Sequence, residues 1–290
     1  MNSETTPSPR LGRSPRRVVG LTLALTATVL GLTACGGSGD GSEAATDRDT
    51  TATGDPQASG SRQASGDQQP SGDQKNGTKP RRLLWMGDSI GEVQAPALGA
   101  AMKADHVEFR SMAAAGGGGV VGEIADPTWK SLPKQLASFE PDVVAYQIAT
   151  YDWGTPDEQR TAYGRLARTV NAAGAELLIV SAPPFKADDF YKPHEAAIKT
   201  APASAETVAD KRPDTVRFLD SAALWGTDSA AAEAQRSKDG IHSCQQGSAA
   251  FARWFGEELG KRYGFTPAAA ARWATGEWTG DKVYGRLGCQ

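Results

Sequence analysis

Three stretches of the chain carry nearly unbroken apolar residues over the length of a strand: Arg82–Met86 (RLLWM), Asp142–Ala149 (DVVAYQIA) and Glu176–Ser181 (ELLIVS). Runs of this kind belong to strands covered on both faces, as in a parallel sheet. Weaker strand patterns span His106–Met112 and Val216–Leu219. The spacing predicts helices from about Ile90 to Lys103, Trp129 to Phe139, Pro156 to Ala173 and Gly247 to Tyr263, with a further helical stretch before the last strand. Pro141 closes the second of these. Pro156-Asp157-Glu158 opens the third with proline and acids in the first turn, where free N–H groups and the helix dipole favour them. Alternation of strands and helices implies crossover connections and an α/β three-layer sandwich, a five-stranded parallel sheet between helices. In such sheets the reactive crevice lies at the carboxyl ends of the strands. Ser89, the glycine loop at Gly116 and Gly117, and the loop Ala149-Thr150-Tyr151-Asp152-Trp153 all fall there.

The pattern breaks down before residue 80. Residues 1–34 place Arg10, Arg13, Arg16 and Arg17 ahead of an apolar run from Val18 to Thr33, with small residues next, the order of a secretory signal. The run is shorter than the roughly 20 residues that a membrane-crossing helix needs. The residues around Cys35 resemble a bacterial lipobox, which implies lipidation of that thiol and cleavage just before it. A plain signal peptide with an incidental Cys35, or a twin-arginine signal at Arg16-Arg17, are the other readings, and each exports the protein. Residues 36–79 are rich in Gly, Ser, Asp and Gln, and SGDQ recurs at Ser65 and Ser71. Such a segment cannot bury enough surface to offset its ordering entropy. As a flexible tether after Cys35 it would span roughly 35 to 40 Å. Three regions result: a signal over 1–34, a lipidated cysteine with linker over 35–79, and one domain over 80–290. The expected location is the outer face of the cell membrane, or the wall beyond it.

Charge narrows the partners. The formal net charge is −3, and no basic block follows residue 82, so no electrostatic footprint for nucleic acid is present. Of the three cysteines, Cys35 is spoken for, and Cys244 and Cys289 make an even pair, which predicts one disulfide in an oxidising compartment. That bond would pin the tail after Phe265, with Trp273, Trp278 and Tyr284, beside the final helix, where the tail is expected to wall the crevice.

A serine at the end of a buried strand raises the question of a base. Serine is a poor nucleophile at neutral pH and needs a base within hydrogen-bond reach and a third group to orient it. His106 opens a strand and His194 follows Pro193 in a polar loop, so both read as solvated groups. His242 lies in SKDGIHSC with Asp239 three residues earlier. Within a short turn that spacing can set the carboxylate on Nδ1–H while Nε2 points outward, the tautomer that a general base requires. Neither Gly-Asp-Ser nor D-x-x-H is specific alone. Together, at the end of the first strand and just before the last helix, they form a candidate triad of Ser89, Asp239 and His242.

At these residues the chain resembles the SGNH, or GDSL, hydrolase superfamily. MGDSI matches the serine block and DGIH the Asp/His block, and the order of elements over most of residues 82–263 matches its flavodoxin-like sheet. The resemblance implies that Ser89 is the nucleophile, that its N–H joins the oxyanion hole, and that a loop glycine, Gly116 or Gly117, supplies a second donor. The family's G-x-N-D block aligns with Ala149-Thr150-Tyr151-Asp152, so Tyr151 stands where an asparagine would donate to the oxyanion. Either the Tyr151 hydroxyl substitutes or the backbone donors act without it.

The run from Gly117 to Gly122 also satisfies G-x-G-x-x-G, but it follows the second strand and an exported protein meets little NAD, so no nucleotide is expected. With three histidines and no zinc-like spacing, no metal or other cofactor is expected. Trp129, Trp153 and Trp225 read as core packing or crevice walls, and Trp153, beside the ATYD loop, is the candidate that faces substrate. Three functions follow. The first is an esterase or deacylase acting on an ester of an envelope glycan or lipid. The second is an acyltransferase onto a cell-surface glycan, and the third a binding lipoprotein that keeps the fold without catalysis. Activity through His242 is expected to rise with pH through about 6 to 7.

Overall fold

The computed structural model describes residues 78–289. The signal, Cys35 and all but the last two positions of the linker lie outside the described residues.

The apolar runs form the centre of the sheet. β1 (Arg82–Met86), β3 (Val143–Gln147) and β4 (Glu176–Val180) are buried along almost their whole length, and β2 (Glu108–Ser111) and β5 (Val216–Leu219) close the two edges. The order is β2-β1-β3-β4-β5, with every pairing parallel. Alternate residues face opposite layers, as the pleat requires. Leu84, Met86, Val144, Tyr146, Leu177 and Ile179 pack on one side against α2 (Asp126–Phe139), α3 (Pro156–Ala172) and α4 (Glu195–Asp210). Leu83, Trp85, Val143, Ala145, Leu178 and Val180 pack on the other against α1 (Ser89–Ala104) and the long helix Gln245–Tyr263. Trp85 meets Phe251 and Phe255 there at 5.6 and 5.7 Å between ring centroids. The α/β sandwich with a five-stranded parallel sheet is the architecture expected from the pattern.

The boundaries move for local reasons. Helix α1 begins at Ser89 because Asp88 caps it, its side chain accepting from the Ile90 N–H. β2 starts two residues late because His106 sits at φ 57° in the preceding turn. Helix α2 starts earlier, at Asp126, with Pro127 in its first turn. Helix α3 opens with a full capping box between Thr155 and Glu158. A single turn, α5 (Ala222–Trp225), follows β5, and the helix Gln245–Tyr263 is therefore α6.

The predicted disulfide is present, Cys244 to Cys289 with Cα atoms 5.6 Å apart. The contacts of the tail run along α1, from Glu92 and Val93 to Asp105, and to the start of α6. The tail packs on the outside of α1 and the start of α6. Tyr284 donates to the Val93 carbonyl at 2.9 Å, Asp105 accepts from the Ala268 N–H at 2.7 Å, and Gln245 donates to the Thr279 carbonyl at 3.0 Å. The tail ends in the short helix α7 (Lys282–Arg286), where Arg286 reaches Glu92 at 3.1 Å. Its aromatic residues are drawn to the apolar flank of α1, and the disulfide ties the tail to the chain two residues from His242.

Candidate active site

β1 delivers the chain to Gly87 and Asp88, and Ser89 opens α1. Asp88 is buried and spends its carboxylate in two directions. Oδ1 caps the helix at Ile90, while Oδ2 accepts from both the N–H and the hydroxyl of Thr150 at 2.7 Å. Burial pushes this carboxyl above its usual range, against the hydrogen bonds from Thr150 and Ile90 and the nearby His242. The result is a strut between the serine turn and the loop after β3. Ser89 stands in the first turn of a 16-residue helix, where the positive end of the dipole favours developing negative charge.

The structure brings the three predicted triad residues together. His242 Nε2 lies 2.8 Å from Ser89 Oγ, and Nδ1 lies 2.7 Å from Asp239 Oδ2. The turn forms because Asp239 Oδ1 accepts from the N–H groups of Ile241 and His242 and from the Ser237 hydroxyl, while Gly240 takes φ 74°. Burial alone would raise the Asp239 carboxyl. The hydrogen bonds from the His242 ring, the two backbone groups and Ser237 outweigh it and hold the carboxyl at about 2. Arg236, unremarked in the sequence, braces the turn from behind. It donates to the Ile241 carbonyl at 3.0 Å and lies over the Trp225 ring at 4.7 Å. Burial lowers its guanidinium to about 10, with the Asp239 charge opposing. From the other side, the Lys186 N–H donates to the Gly240 carbonyl at 2.9 Å.

The glycine loop is held by Asp152, which the sequence placed in the ATYD block without a role. Its Oδ1 accepts from the Val120 and Val121 N–H groups at 2.9 and 3.2 Å, and Oδ2 from the Tyr146 and Tyr163 hydroxyls at 2.6 and 3.0 Å. Burial raises this carboxyl to about 6, the four hydrogen bonds opposing. The glycine that meets the serine turn is Gly118, not Gly116 or Gly117. A Cβ on Gly118 would fall 1.8 Å from the Gly87 carbonyl oxygen, at φ 81°, so only glycine fits. Gly116 is exposed, and the Gly117 N–H donates to the Ala114 carbonyl at 3.3 Å, closing a turn. Four consecutive glycines look alike in sequence, and the fold separates them by what each meets, the Gly87 carbonyl at Gly118 and Asp152 at Gly119.

Tyr151 is half-buried among Trp153, Phe190 and Tyr191. Burial first, and then the Tyr191 hydroxyl beside it, push its phenol above the usual range, so it stays a neutral hydroxyl. Trp153 is locked by its indole N–H on the Thr150 carbonyl at 2.6 Å and lies flat on His194, 3.5 Å between centroids. His194 is therefore a stacking partner and not the solvated group expected. Trp129 packs under Arg165 and donates to the Val120 carbonyl, and Trp225 is wholly buried core. A cleft of about 420 Å³ lies at the carboxyl ends of β3, β4 and β5, lined by Thr150, Ser181, Phe185, Ile198, Pro202 and Asp220 among others; no triad residue borders it.

No family profile matches the sequence, and no curated protein matches it. Solved structures do. One is a serine-to-alanine mutant of an acetyl esterase with an acetate ion, 15% identical, with a TM-score of 0.50 over 63% of this chain and 98% of that one. Another is an acetylxylan esterase from Geobacillus stearothermophilus, also a catalytic mutant, 16% identical, TM-score 0.47, covering 66% and 96%. A third is a GDSL-like lipase from Bacteroides thetaiotaomicron, 15% identical, TM-score 0.47, covering 62% and 88%. At 15% identity and a TM-score of 0.50, the likeness to the acetyl esterase is one of fold.

Proposed function

We propose that this chain, built on the SGNH-hydrolase fold, is an exported serine esterase that removes an acyl group from an ester of an envelope glycan or lipid. The observation that carries the reading is the unbroken chain from Ser89 Oγ to His242 Nε2 at 2.8 Å and from Nδ1 to Asp239 at 2.7 Å, at the start of a helix. Ser89 Oγ attacks the ester carbonyl as His242 Nε2 takes its proton, and Asp239 keeps the ring oriented and stabilises the imidazolium. The oxyanion meets the Ser89 N–H at the positive end of α1 and an N–H of the glycine loop, the role first given to Gly116 and Gly117. The carbon–oxygen bond to the alcohol then breaks, and His242 returns its proton to the departing oxygen. Water, deprotonated by the same imidazole, releases the acid and restores Ser89.

Tyr151 favours one second reading. An aromatic side chain in place of the asparagine resembles SGNH branches that transfer acyl groups to glycans, so a sugar hydroxyl could take the place of water. Product analysis with and without an acceptor sugar separates the two. The fully assembled triad counts against a purely binding protein. Export rests on the signal and on Cys35 as lipid anchor, and the Cys244–Cys289 bond suits an oxidising compartment.

Full-length protein assayed on p-nitrophenyl acetate tests the reading. Turnover that falls by about 10³-fold or more in Ser89→Ala is the expected result. Equal turnover by the two proteins would end it.

A further inference from the structure

The loop after β3 carries an aromatic cluster one residue beyond the Thr150 that grips Asp88. Tyr151 meets Trp153 at 5.6 Å and Phe190 at 6.2 Å between centroids, and Phe190 closes on Trp153 at 5.5 Å and on Tyr191 at 5.0 Å. All four contacts are edge-to-face, the geometry in which aromatic rings brace one another without stacking flat. The cluster is rigid. Trp153 is fixed by its hydrogen bond to Thr150 and by His194 on one face, and Asp188 Oδ1 accepts from the N–H groups of Phe190 and Tyr191, holding the Phe190 turn. Yet Phe190 remains 56% exposed; the other exposed large apolar side chain among the described residues, Ile124, belongs to no such cluster.

We propose that Tyr151, Trp153 and Phe190 form a platform for a pyranose ring, which makes the substrate an acylated carbohydrate. The inference rests on the Ser89 esterase reading and narrows it. A sugar ring presents C–H groups that carry partial positive charge, and these pack on the negative faces of aromatic rings, while its hydroxyls stay at the rim in water. A preorganised aromatic surface suits such a ring because little ordering entropy is lost when it binds. A long acyl chain instead needs an enclosed apolar channel leading from the serine. The 420 Å³ cleft does not supply one to Ser89, since neither Ser89 nor His242 borders it. Thr150 stands between that cleft and the Asp88 turn. Thr150, hydrogen-bonded to the Asp88 that precedes Ser89 and followed directly by Tyr151, ties the platform to the serine turn, where a small acyl group would sit.

The test compares full-length wild type, Phe190→Ala and Phe190→Tyr on p-nitrophenyl acetate, on p-nitrophenyl octanoate, and on O-acetylated glucose-, xylose- and N-acetylglucosamine-based oligosaccharides. For at least one sugar ester, Phe190→Ala should raise KM about tenfold with kcat kept, and Phe190→Tyr should restore it. Turnover of p-nitrophenyl acetate should not change, because that substrate has no sugar ring to lay on the platform. Cleavage of no sugar ester, an unchanged KM in Phe190→Ala, or a loss confined to the octanoate would overturn the platform while leaving the triad standing. If neither p-nitrophenyl acetate nor any sugar ester is turned over, the esterase reading fails, and binding decides the platform. Unacetylated oligosaccharides titrated into Ser89→Ala should quench tryptophan fluorescence with a Kd about tenfold weaker when Phe190→Ala is added. No binding would overturn it.

Discussion

Two carboxylates hold the two loops that flank Ser89, and each accepts four hydrogen bonds. Asp239 takes them from Ser237, Ile241 and both the backbone and ring of His242; Asp152 takes them from Val120, Val121, Tyr146 and Tyr163. Their carboxyls nonetheless move in opposite directions, to about 2 and about 6. Burial makes the difference, since the Asp239 side chain is 37% exposed and Asp152 only 1%. With similar donors, the wetter group keeps its charge and can answer a proton arriving on His242. The drier group is a clamp whose charge is costly, and its task is to hold the backbone of the glycine loop. Equal hydrogen-bond counts therefore conceal two different tasks.

The largest break in that comparison is Asp239→Asn. It should lower kcat by roughly 10³ to 10⁴-fold by spoiling the tautomer of His242, with a small change in thermal midpoint. A loss of folding with no specific loss of kcat would make Asp239 a clamp like Asp152.

The anchors differ as well, one covalent and one hydrogen-bonded. Reducing the Cys244–Cys289 bond, which spans 45 residues, should destabilise the domain by up to about 4 kcal/mol in denaturant titrations and lower p-nitrophenyl acetate turnover with it. Unchanged stability and turnover would show that the tail does not steady the Asp/His loop.

A finer test lies inside the glycine loop. Gly118→Ala drives a Cβ into the Gly87 carbonyl at a left-handed φ and should cost about 3 kcal/mol or more, with most of the activity. Gly117→Ala meets nothing within 4 Å and should stay within about 1 kcal/mol of wild type in stability. The reverse ranking in paired melting curves would return the close approach to Gly117.

The smallest expected effect is a pH dependence. Asp152 titrates near 6 when folded and near 3.8 in an open chain, so the folded protein binds more protons between those limits. Its contribution is fully present below about 3.8 and is lost as pH rises through about 6, a loss of about 3 kcal/mol at most. Wild type should therefore lose stability relative to Asp152→Asn between pH 4 and 6.5 in urea titrations. Asp239 has the opposite sign, its contribution present above about 3.8 and lost toward 2. A constant difference between wild type and Asp152→Asn across that window would mean that Asp152 does not titrate there.

Much of the fold and the triad is legible in the amino-acid sequence alone. The unbroken runs at Leu83–Met86 and Val143–Tyr146 announce buried parallel strands because both faces are covered, and D-x-x-H announces its turn because Asp239 lies within reach of the N–H groups two and three residues on. The rest depends on partners distant in sequence. Asp152 meets Val120 from 32 residues away, Asp88 meets Thr150 from 62, and nothing local marks either carboxyl as a clamp. His194 reads as solvated because its neighbours are polar, and only the fold lays it on Trp153. The tail's place on α1 is likewise a matter of which apolar flank is left open, visible only once α1 and α6 are packed.

The most direct measurement of the central claim is mass spectrometry of the full-length protein after reaction with a fluorophosphonate, with the labelled peptide sequenced. One phosphonyl group on Ser89, absent from Ser89→Ala and much slowed in Asp239→Asn, is the predicted result. A wild-type protein left unlabelled, or labelled at another residue, would contradict a serine nucleophile at the start of α1.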